Sequence, residues 1–192
     1  MRRVSLQMYI TLDGFNEFPS YPGSGDPPAS EQDPVSAEMW TKQWGSIDTL
    51  LFDRQTYEQW SEFWPTSKRA PGEHPWYRQM SEFAEKAQKV VLSDSRVGAT
   101  WTNSRTLVGD VGASVAGLKE EAGKNLAVVA PDLGRELMRR GLIDDYYFAI
   151  CPVILGKGQK LFGELQDQQT LRLVEVKHFK AGELFLHYEA AR

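Results

Sequence analysis

Four short polar segments, each directly after an apolar run, are the best candidates in this chain for holding a ligand. They are Leu12-Asp13-Gly14, Phe52-Asp53-Arg54, Ser93-Asp94-Ser95 and Ala130-Pro131-Asp132. In α/β sheets that are mostly parallel, ligands bind outside the carboxyl ends of the strands. If the apolar runs are strands of one sheet, these segments predict a single ligand site at one edge.

The chain has no sequence pattern of a covalent or metal-assisted catalyst. It contains no GxSxG, CxxC, HExxH or GxxxxGK[ST] segment. The single Cys151 lies in an apolar run and is interpreted as a core thiol. The histidines are scattered at His74, His178 and His187, so we expect no metal site. A chain so poor in acid–base groups can still catalyse a reaction if a cofactor carries the hard step.

Composition is that of one ordinary globular domain spanning residues 1–192. The charge balance of 22 basic and 26 acidic residues gives −4, which offers no electrostatic reason for nucleic-acid or anionic-membrane binding. The first residues, Met1 to Met8, are not typical of a signal peptide, and no apolar window approaches a membrane span. We therefore expect a cytoplasmic protein with neither kind of partner.

Strand and helix patterns alternate along the chain. Predicted strands are Val4–Thr11, Thr49–Phe52, Gln88–Ser93, Trp101–Ser104, Asn125–Ala130, Asp144–Pro152, Leu171–Phe179 and Glu183–Ala190. Predicted helices are Ser36–Ile47, Gln55–Phe63, Trp76–Lys86, Val111–Ala122 and Asp132–Arg140, with Ser36 and Asp132 as N-caps. This order indicates an α/β protein with a twisted, mostly parallel sheet, helices on both faces and a closing antiparallel hairpin.

Two further features leave alternatives open. The Pro- and Gly-rich stretch 15–34 predicts a long loop, which is either a lid over the site or a surface insertion. Trp40 and Trp44 are four residues apart, as are Trp60 and Trp64, so each pair shares a helical face. These faces either pack in the core or form an aromatic wall beside a flat heterocycle.

Two motifs near the carboxyl terminus carry a specific resemblance. Residues 141–145 read GLIDD and residues 152–162 read PVILGKGQKLF. They resemble the GLIDE and PVLLGxGxxLF signature of the dihydrofolate reductase-like superfamily, in particular the C-terminal reductase domain of the bifunctional riboflavin biosynthesis deaminase–reductase. The segments TLDG at 11–14, LLFDRQTYE at 50–58 and VVLS at 90–93 resemble further motifs of that family in the same order.

This resemblance implies a reductase that transfers hydride from NADPH to a pyrimidine- or pteridine-like ring, similar to 5-amino-6-(5-phosphoribosylamino)uracil reductase, and a homodimer. Asp13 is the candidate catalytic polar group, although a turn-forming role is the alternative. Arg54 is either a phosphate contact or part of a structural ion pair. By resemblance, the cofactor contacts fall on Leu12, Gly14, Arg54, Gln55, Thr56, Ser93, Val129, Ala130, Pro131, Asp132 and Leu133.

The chain departs from the family pattern in three cofactor segments. Asp53 stands where the family has Gly, Asp94 stands where many members have Arg for the 2′-phosphate, and Val129 and Ala130 replace a glycine pair. Carboxylates repel phosphates, and side chains keep a pyrophosphate from close approach to the backbone. We therefore expect weakened NADPH binding and a smaller loss for NADH, since Asp94 can bind a ribose 2′-hydroxyl.

Three functions remain open from the sequence. The chain is a NAD(P)H-dependent reductase, or a degenerate member that binds small molecules or serves as a scaffold, or a protein that uses another cofactor such as a flavin. A hydride-transfer site needs positioning and exclusion of water more than side-chain chemistry, so the scarcity of acid–base groups does not separate the three.

Overall fold

A computed structural model describes residues 1–16, 34–163, 165 and 168–191. Almost all of the predicted 15–34 loop therefore lies outside the described residues. Only Phe15, Asn16 and the start of the first helix belong to the described part. Phe15 is buried and forms an isolated antiparallel bridge with Lys160.

Eight strands form one sheet in the order β4-β3-β2-β5-β1-β6-β8-β7. They are β1 Val4–Thr11, β2 Ile47–Phe52, β3 Gln88–Ser93, β4 Ser104–Val108, β5 Asn125–Val128, β6 Asp145–Cys151, β7 Leu171–His178 and β8 Leu184–Ala190. The first six strands pair in parallel, while β8 pairs antiparallel with both β6 and β7. The mostly parallel sheet and the closing hairpin are confirmed.

In the described part of the chain, five α-helices cover the two faces of the sheet. They are α1 Pro34–Gly45, α2 Arg54–Phe63, α3 Pro75–Lys86, α4 Val111–Glu120 and α5 Pro131–Arg139. Side chains of α4 and α5 pack in one cluster with Val4, Leu6 and Ile10. Side chains of α1, α2 and α3 pack in two other clusters, which contain Tyr9 and Phe52. Successive side chains of β1 thus alternate between the two layers, as strand geometry requires.

Helix α5 packs closely on β1 at Gly134. A Cβ atom added there would lie 2.6 Å from Leu6 Cδ1, so a larger residue requires the buried Leu6 side chain to shift. A buried ion pair joins Lys119 Nζ to Asp144 Oδ2 at 2.7 Å, and Asp144 also accepts the Val4 N–H. These contacts hold the first residues of β1 and β6 together. Because the two strands are parallel, they also fix how the carboxyl ends of β1 and β6 align with each other.

Three predicted boundaries were wrong. The strand predicted at Trp101–Ser104 begins only at Ser104, because Asn103 adopts a positive φ of 58° and Trp101 is buried in the preceding loop. The first helix begins at Pro34, so Ser36 lies inside it and is not its N-cap. Ile47, placed at the end of that helix, belongs to β2.

The N-cap predicted at Asp132 was also wrong. Helix α5 begins at Pro131, with Ala130 as N-cap and no capping side chain. Pro131 has the fixed φ that suits a first helical position and no N–H to satisfy, so the helix starts one residue earlier than the Asp132 pattern indicated. Asp132 lies in the first turn and pairs with Arg135.

The tryptophan pairs share helical faces, as predicted. Trp40 is buried in the core, and Trp44, Trp60 and Trp64 are half-buried against it. Ring centroids lie 6.2 Å apart for Trp40 and Trp44, and 5.6 Å apart for Trp60 and Trp64. Trp40 also contacts Phe185 of β8, and Trp60 contacts Phe52 of β2. The core interpretation accounts for these contacts. None of the helices in the described part of the chain combines the length and apolar character that a membrane crossing requires.

Candidate functional site

The parallel pairing brings the predicted polar segments to one edge of the sheet. Phe52 pairs with Val91 two residues before Ser93, Leu51 pairs with Val128, and Thr11 pairs with Cys151. The carboxyl ends of β1, β2, β3, β5 and β6 therefore lie along the same edge. In doubly wound sheets this edge is the usual place for a ligand.

The carboxylate of Asp13 is fully engaged at the end of β1. It accepts the Thr11 hydroxyl at 2.6 Å, the Leu155 N–H at 3.1 Å and the Gly156 N–H at 2.8 Å. These hydrogen bonds, the one from Thr11 first, lower the pKa of Asp13 to about 2. Asp13 is therefore ionised at neutral pH, and its oxygens hold the segment after β6 beside the turn after β1.

Backbone hydrogen bonds extend this connection along the loop after β6. Leu12 N–H donates to Val153, Asn16 N–H donates to Gln159, and Leu161 N–H donates to Gly14, all within 2.9–3.0 Å. Gly14 adopts a φ of 86°, which closes the turn without the strain that a side chain brings. A Cβ at Gly14 would meet no atom of the described residues within 4 Å.

The polar side chains at the start of α2 bind other groups of the same helix. Asp53 is the N-cap and accepts the Thr56 N–H at 2.7 Å. Arg54 Nε pairs with Glu58 Oε1 at 2.8 Å, one helical turn away, and this partner raises the pKa of Arg54. Arg54 thus forms an ion pair within its own helix, which is the structural alternative to a phosphate contact. Gln55 is exposed beside it.

The segment after β3 is exposed and carries Asp94, followed two residues later by Arg96. Ser93 Oγ accepts the Ser95 N–H at 3.3 Å and lies 3.5 Å from Asp94 Oδ1. Asp94 also raises the pKa of Arg54, after the larger effect of Glu58. The ends of β2 and β3 are thus close enough for their charges to interact. The Asp53 and Asp94 carboxylates lie at the edge where the sequence predicts that they repel a phosphate.

In the connection from β5 to α5, two side chains were expected to keep a pyrophosphate from the backbone, and one of them does not point toward solvent. Val129 is partly buried against the α2–α3 layer, whereas Ala130 is fully buried in the α4–α5 layer. The Ala130 methyl group therefore points into the core, so the expectation that it crowds a ligand was wrong. Leu133 is also buried, and Asp132 is exposed.

The first turn of α5 could accept an anion. The N-cap residue Ala130 has no side-chain acceptor, so the backbone N–H groups of Asp132 and Leu133 donate no hydrogen bond to a capping side chain. Arg135 is buried, and its Nη1 atom has no hydrogen-bond partner among the described residues. Uncapped amides and an unpartnered guanidinium nitrogen are donors that fit the phosphates of a dinucleotide.

The sequence did not predict Arg135 or the 153–161 loop as parts of the site. Arg135 lies in a run of charged residues that looks like a solvent-exposed helix face, and only the three-dimensional packing buries it. The PVILGKGQKLF motif was visible in sequence, but nothing in it indicated that its amides bind Asp13. Two glycines with positive φ, Gly156 and Gly158, were the available signal of a tight, specific loop.

One cluster of potential metal ligands lies outside this edge. Asp145, His187 and Glu189 bring ligand atoms within 4.8 Å of one another near the start of β6. Arg3 donates to Asp145 at 2.6 Å and 2.7 Å and to Glu189 at 3.2 Å, and Arg172 also pairs with Glu189. Guanidinium groups occupy the carboxylates, so the cluster is an ion-pair network between strands.

Comparisons with known proteins agree with this architecture. A family model described as the RibD C-terminal domain matches residues 2–185. An uncharacterized protein of Bacillus subtilis, YyaP, is 26% identical over 189 residues, which is 97% of this chain and 94% of that protein. A second, YwjB, is 28% identical over 147 residues, which is 76% of this chain and 75% of that protein.

Solved structures share the fold. A Shewanella sp. PV-4 protein whose name places it in riboflavin biosynthesis has a TM-score of 0.69 at 16% identity, with both chains covered completely. A pyrimidine reductase-like protein from Corynebacterium diphtheriae has a TM-score of 0.66 at 13% identity, covering 100% of this chain and 92% of that one. The deaminase/reductase of Thermotoga maritima has a TM-score of 0.63 at 15% identity, covering 99% of this chain and 57% of that one.

Proposed function

The chain belongs to the family of RibD C-terminal domains, and from this membership we propose that it is a NAD(P)H-dependent reductase of a pyrimidine- or pteridine-like heterocycle. Reductases of this family use NADPH. The observation that carries the proposal is the convergence of five strand ends at one edge, where the turn at Gly14 has no described atom within 4 Å of an added Cβ. That arrangement provides a place for a dinucleotide and a ring to meet.

The proposed cofactor contacts fall into two groups. The β1 turn, with Leu12 and Gly14, receives the end of the cofactor that reacts. The remaining contacts receive its phosphates and adenosine: Arg54, Gln55, Thr56, Ser93, Val129, Pro131, Asp132 and Leu133. When bound, the cofactor supplies the hydride. The protein's own part is to position the two rings and to exclude water.

We propose a positioning role for Asp13. Both of its carboxylate oxygens already accept hydrogen bonds, and its pKa of about 2 makes it a poor proton donor at neutral pH. Its contribution to the site is to hold the Leu155 and Gly156 amides against the β1 turn. A direct contact with the nicotinamide or the substrate requires one of its oxygens to be shared with the ligand.

We further propose that cofactor binding is weaker for NADPH than the family pattern implies. Asp53 and Asp94 bring negative charge to the β2 and β3 ends, where the 2′-phosphate is expected. Each exposed like-charge contact costs up to about 1 kcal/mol. NADH lacks this phosphate, so its binding suffers less.

The same carboxylates support a second candidate function. The chain carries Asp53 and Asp94 after β2 and β3 and a Val129 side chain in place of glycine, so a member that has lost nicotinamide binding is the alternative. Such a protein would retain the pocket and act as a small-molecule-binding or scaffold protein. Failure of both dinucleotides to bind, including to a variant without the two acids, distinguishes this alternative.

We also propose that the chain is a cytoplasmic homodimer. Leu173, Val176 and Leu184 lie on one face of the β7–β8 hairpin and are 50%, 50% and 40% exposed. This face continues that of Tyr146 and Phe148, which α4 and α5 help to cover. Contiguous exposed apolar surface of this kind is typical of a protein–protein interface.

Light scattering tests the dimer. The expected mass is twice the 21.8 kDa of the chain, and Val176→Glu is expected to give the monomer with an unchanged circular dichroism spectrum. Lys177→Glu, one residue along the same strand, is the matched control and should stay dimeric. A monomeric unmodified protein at micromolar concentration contradicts the proposal.

Calorimetric titration of the purified protein with NADPH and with NADH tests the reductase proposal. Saturable binding of either at one site per chain supports it. If a dinucleotide binds, a panel of oxidised and reduced pyrimidines and pteridines, followed by the absorbance of the reduced nicotinamide, then identifies the substrate class.

A further inference from the structure

A polar cavity lies at the amino ends of the strands, on the edge of the sheet opposite the candidate functional site. Its volume is about 480 Å³, within the range of about 300–1,000 Å³ that small-molecule sites have. It opens beside the first residues of β2, β3 and β4, and its charged and amide side chains include Arg2, Asp48, Lys86, Gln88, Arg105 and Glu121. Because β3 has six residues, about 17 Å of strand separate this amino-edge cavity from Ser93.

One wall of the amino-edge cavity is built around Arg2. The Arg2 side chain is 4% exposed, pairs with Asp48 and donates to the Thr49 hydroxyl at 2.6 Å. Asp48 Oδ2 also accepts the Lys124 N–H at 2.7 Å. Gly123 continues this wall with a φ of 147°, and a Cβ there would lie 2.7 Å from the same oxygen. The wall is therefore closely packed, and the charges of Arg2 and Asp48 compensate each other.

The second ion pair of the cavity leaves a donor unused. Arg105 Nη2 donates to both carboxylate oxygens of Glu121, at 2.8 and 2.9 Å. Arg2 Nη1 lies 4.0 Å from Glu121 Oε2, so two guanidinium groups share this carboxylate. Both bonds of Arg105 come from one amino group, and among the described residues its Nη1 group makes no hydrogen bond. The acidic side chains are thus neutralised, while a guanidinium donor remains.

Lys86 and Gln88 carry the other unused donors. In the described part of the chain, neither the exposed Lys86 ammonium group nor the Gln88 carboxamide has a hydrogen-bond or ion-pair partner. Lys86 lies in the last turn of α3, where helix carbonyls attract cations. Those carbonyls already have donors, because Lys89 Nζ binds three of them at 2.6–3.2 Å and Asn103 Nδ2 binds two at 3.1 and 3.4 Å. The Lys86 ammonium group is therefore left to bind an anion.

We propose that the amino-edge cavity is a second ligand site, which takes the phosphate group of a small phosphate ester. Its three unused donors are the Lys86 ammonium group, the Gln88 amide and Arg105 Nη1, and a phosphate monoester has three terminal oxygens that accept hydrogen bonds. Three basic side chains of the cavity stand against two acidic ones, so its net charge favours an anion. A phosphate group fills only part of the volume, and the remaining polar space accommodates the alcohol portion of the ester.

Calorimetry at low ionic strength with glycerol 3-phosphate, inorganic phosphate and glycerol tests the site. We expect glycerol 3-phosphate to bind at one site per chain, inorganic phosphate to bind more weakly, and glycerol not to bind. Lys86→Met should weaken the binding of glycerol 3-phosphate by about tenfold, because it removes one charge-assisted hydrogen bond. The thermal midpoint should stay unchanged, since this side chain has no partner to lose. Lys86→Arg, which keeps the charge, should retain most of the affinity.

Lys42→Met is the matched control. Lys42 lies in the last turn of α1, as Lys86 lies in the last turn of α3, and both side chains are exposed. The two variants change net charge equally, but Lys42 does not line the cavity. Glycerol 3-phosphate should therefore bind to Lys42→Met as it does to the unmodified protein.

The outcomes separate this inference from the proposed function. Glycerol 3-phosphate should bind equally well with and without saturating NADH, and also if NADH does not bind at all. If NADH displaces glycerol 3-phosphate, the phosphate binds at the cofactor edge and the second site is wrong. Equal affinity in Lys86→Met, or no binding of glycerol 3-phosphate at millimolar concentration, also overturns it. Binding of malonate without binding of glycerol 3-phosphate means that the cavity takes carboxylates and overturns the phosphate assignment.

Discussion

On one side of the candidate site, the turn at residues 11–16 and the loop at 153–161 hold each other through the ionised Asp13 and at least three backbone hydrogen bonds. We call this the turn side. On the other, the residues after β2, β3 and β5 carry Asp53, Asp94 and no glycine at 129 and 130. We call this the nucleotide side. The turn side follows the family motifs, and the nucleotide side departs from them.

The two sides also differ in what their polar groups bind. The turn side is bonded within itself, so a substitution there breaks several contacts at once. On the nucleotide side the Asp53 carboxylate caps a helix and Arg54 pairs within that helix, so the charge of Asp53 can change at little structural cost only where the new side chain keeps the cap, as Asn does. We therefore expect the reacting end of the site to be retained while cofactor choice is altered.

The largest effect is expected on the turn side, from Asp13→Ala. The Leu155 and Gly156 amides lose their acceptor, so hydrogen exchange at these two amides should accelerate by about tenfold or more. Exchange at Leu126 and Val128 in β5 serves as the internal control. Unchanged exchange at Leu155 and Gly156 means that Asp13 does not hold the two segments together.

The next effect is a gain on the nucleotide side. The double variant Asp53→Asn, Asp94→Arg removes both acids, and Asn retains the N-cap. NADPH affinity should rise by about tenfold and NADH affinity by less, since only NADPH carries the 2′-phosphate. Titration of both nucleotides measures this difference.

Glu120→Arg is the matched control for the Asp94→Arg part of that gain. It changes net charge by the same amount as Asp94→Arg but lies at the far end of α4. Equal gains from Glu120→Arg and from Asp94→Arg alone show that bulk charge, and not the site, sets NADPH affinity.

A smaller effect separates charge from capping at Asp53. Asp53→Ala removes the acceptor of the Thr56 N–H and should lower the free energy of unfolding by about 1 kcal/mol. Asp53→Asn should stay within a few tenths of a kcal/mol of the unmodified protein. Urea denaturation compares the two. Equal losses from both variants indicate that the carboxylate charge, and not the cap, stabilises α2.

The smallest change is expected from Thr11→Val, which removes only the hydroxyl donor. The pKa of Asp13 should then rise from about 2 toward its ordinary value of 3.8, as carboxyl NMR titration can measure. Because the folded pKa is depressed, ionised Asp13 stabilises the fold above pH 3.8, and this contribution disappears as pH falls to about 2. The thermal midpoints of Asp13→Asn and the unmodified protein should therefore converge over this range.

Sequence patterns predicted most of the fold because its strands are short, apolar and separated by helices. The parallel sheet and the hairpin at 171–190 follow from that order. The strand at Ser104–Val108 was misplaced because its start depends on Asn103 in a left-handed conformation and on Trp101, which donates its N–H to the Tyr57 hydroxyl. That contact spans 44 residues, and local pattern cannot reveal it.

The edge at which the candidate residues meet was predictable from sequence, but their contacts were not. Strand ends indicated that edge, and the cofactor contacts that the motifs assign to it stay predictions. Whether Arg54 faces a ligand or Glu58, and whether Ala130 faces solvent or the core, depends on packing that no spacing encodes. The same holds for Arg135, whose burial within a charged helix is visible only in three dimensions.

The most direct test of the account is a side-by-side titration of the unmodified protein with NADPH and NADH at one ionic strength. The account predicts saturable binding at one site per chain, with NADH bound at least as tightly as NADPH. Tight NADPH binding with strong preference over NADH contradicts the electrostatic comparison of the two sides. No binding of either nucleotide, also in the Asp53→Asn, Asp94→Arg variant, contradicts the reductase assignment itself.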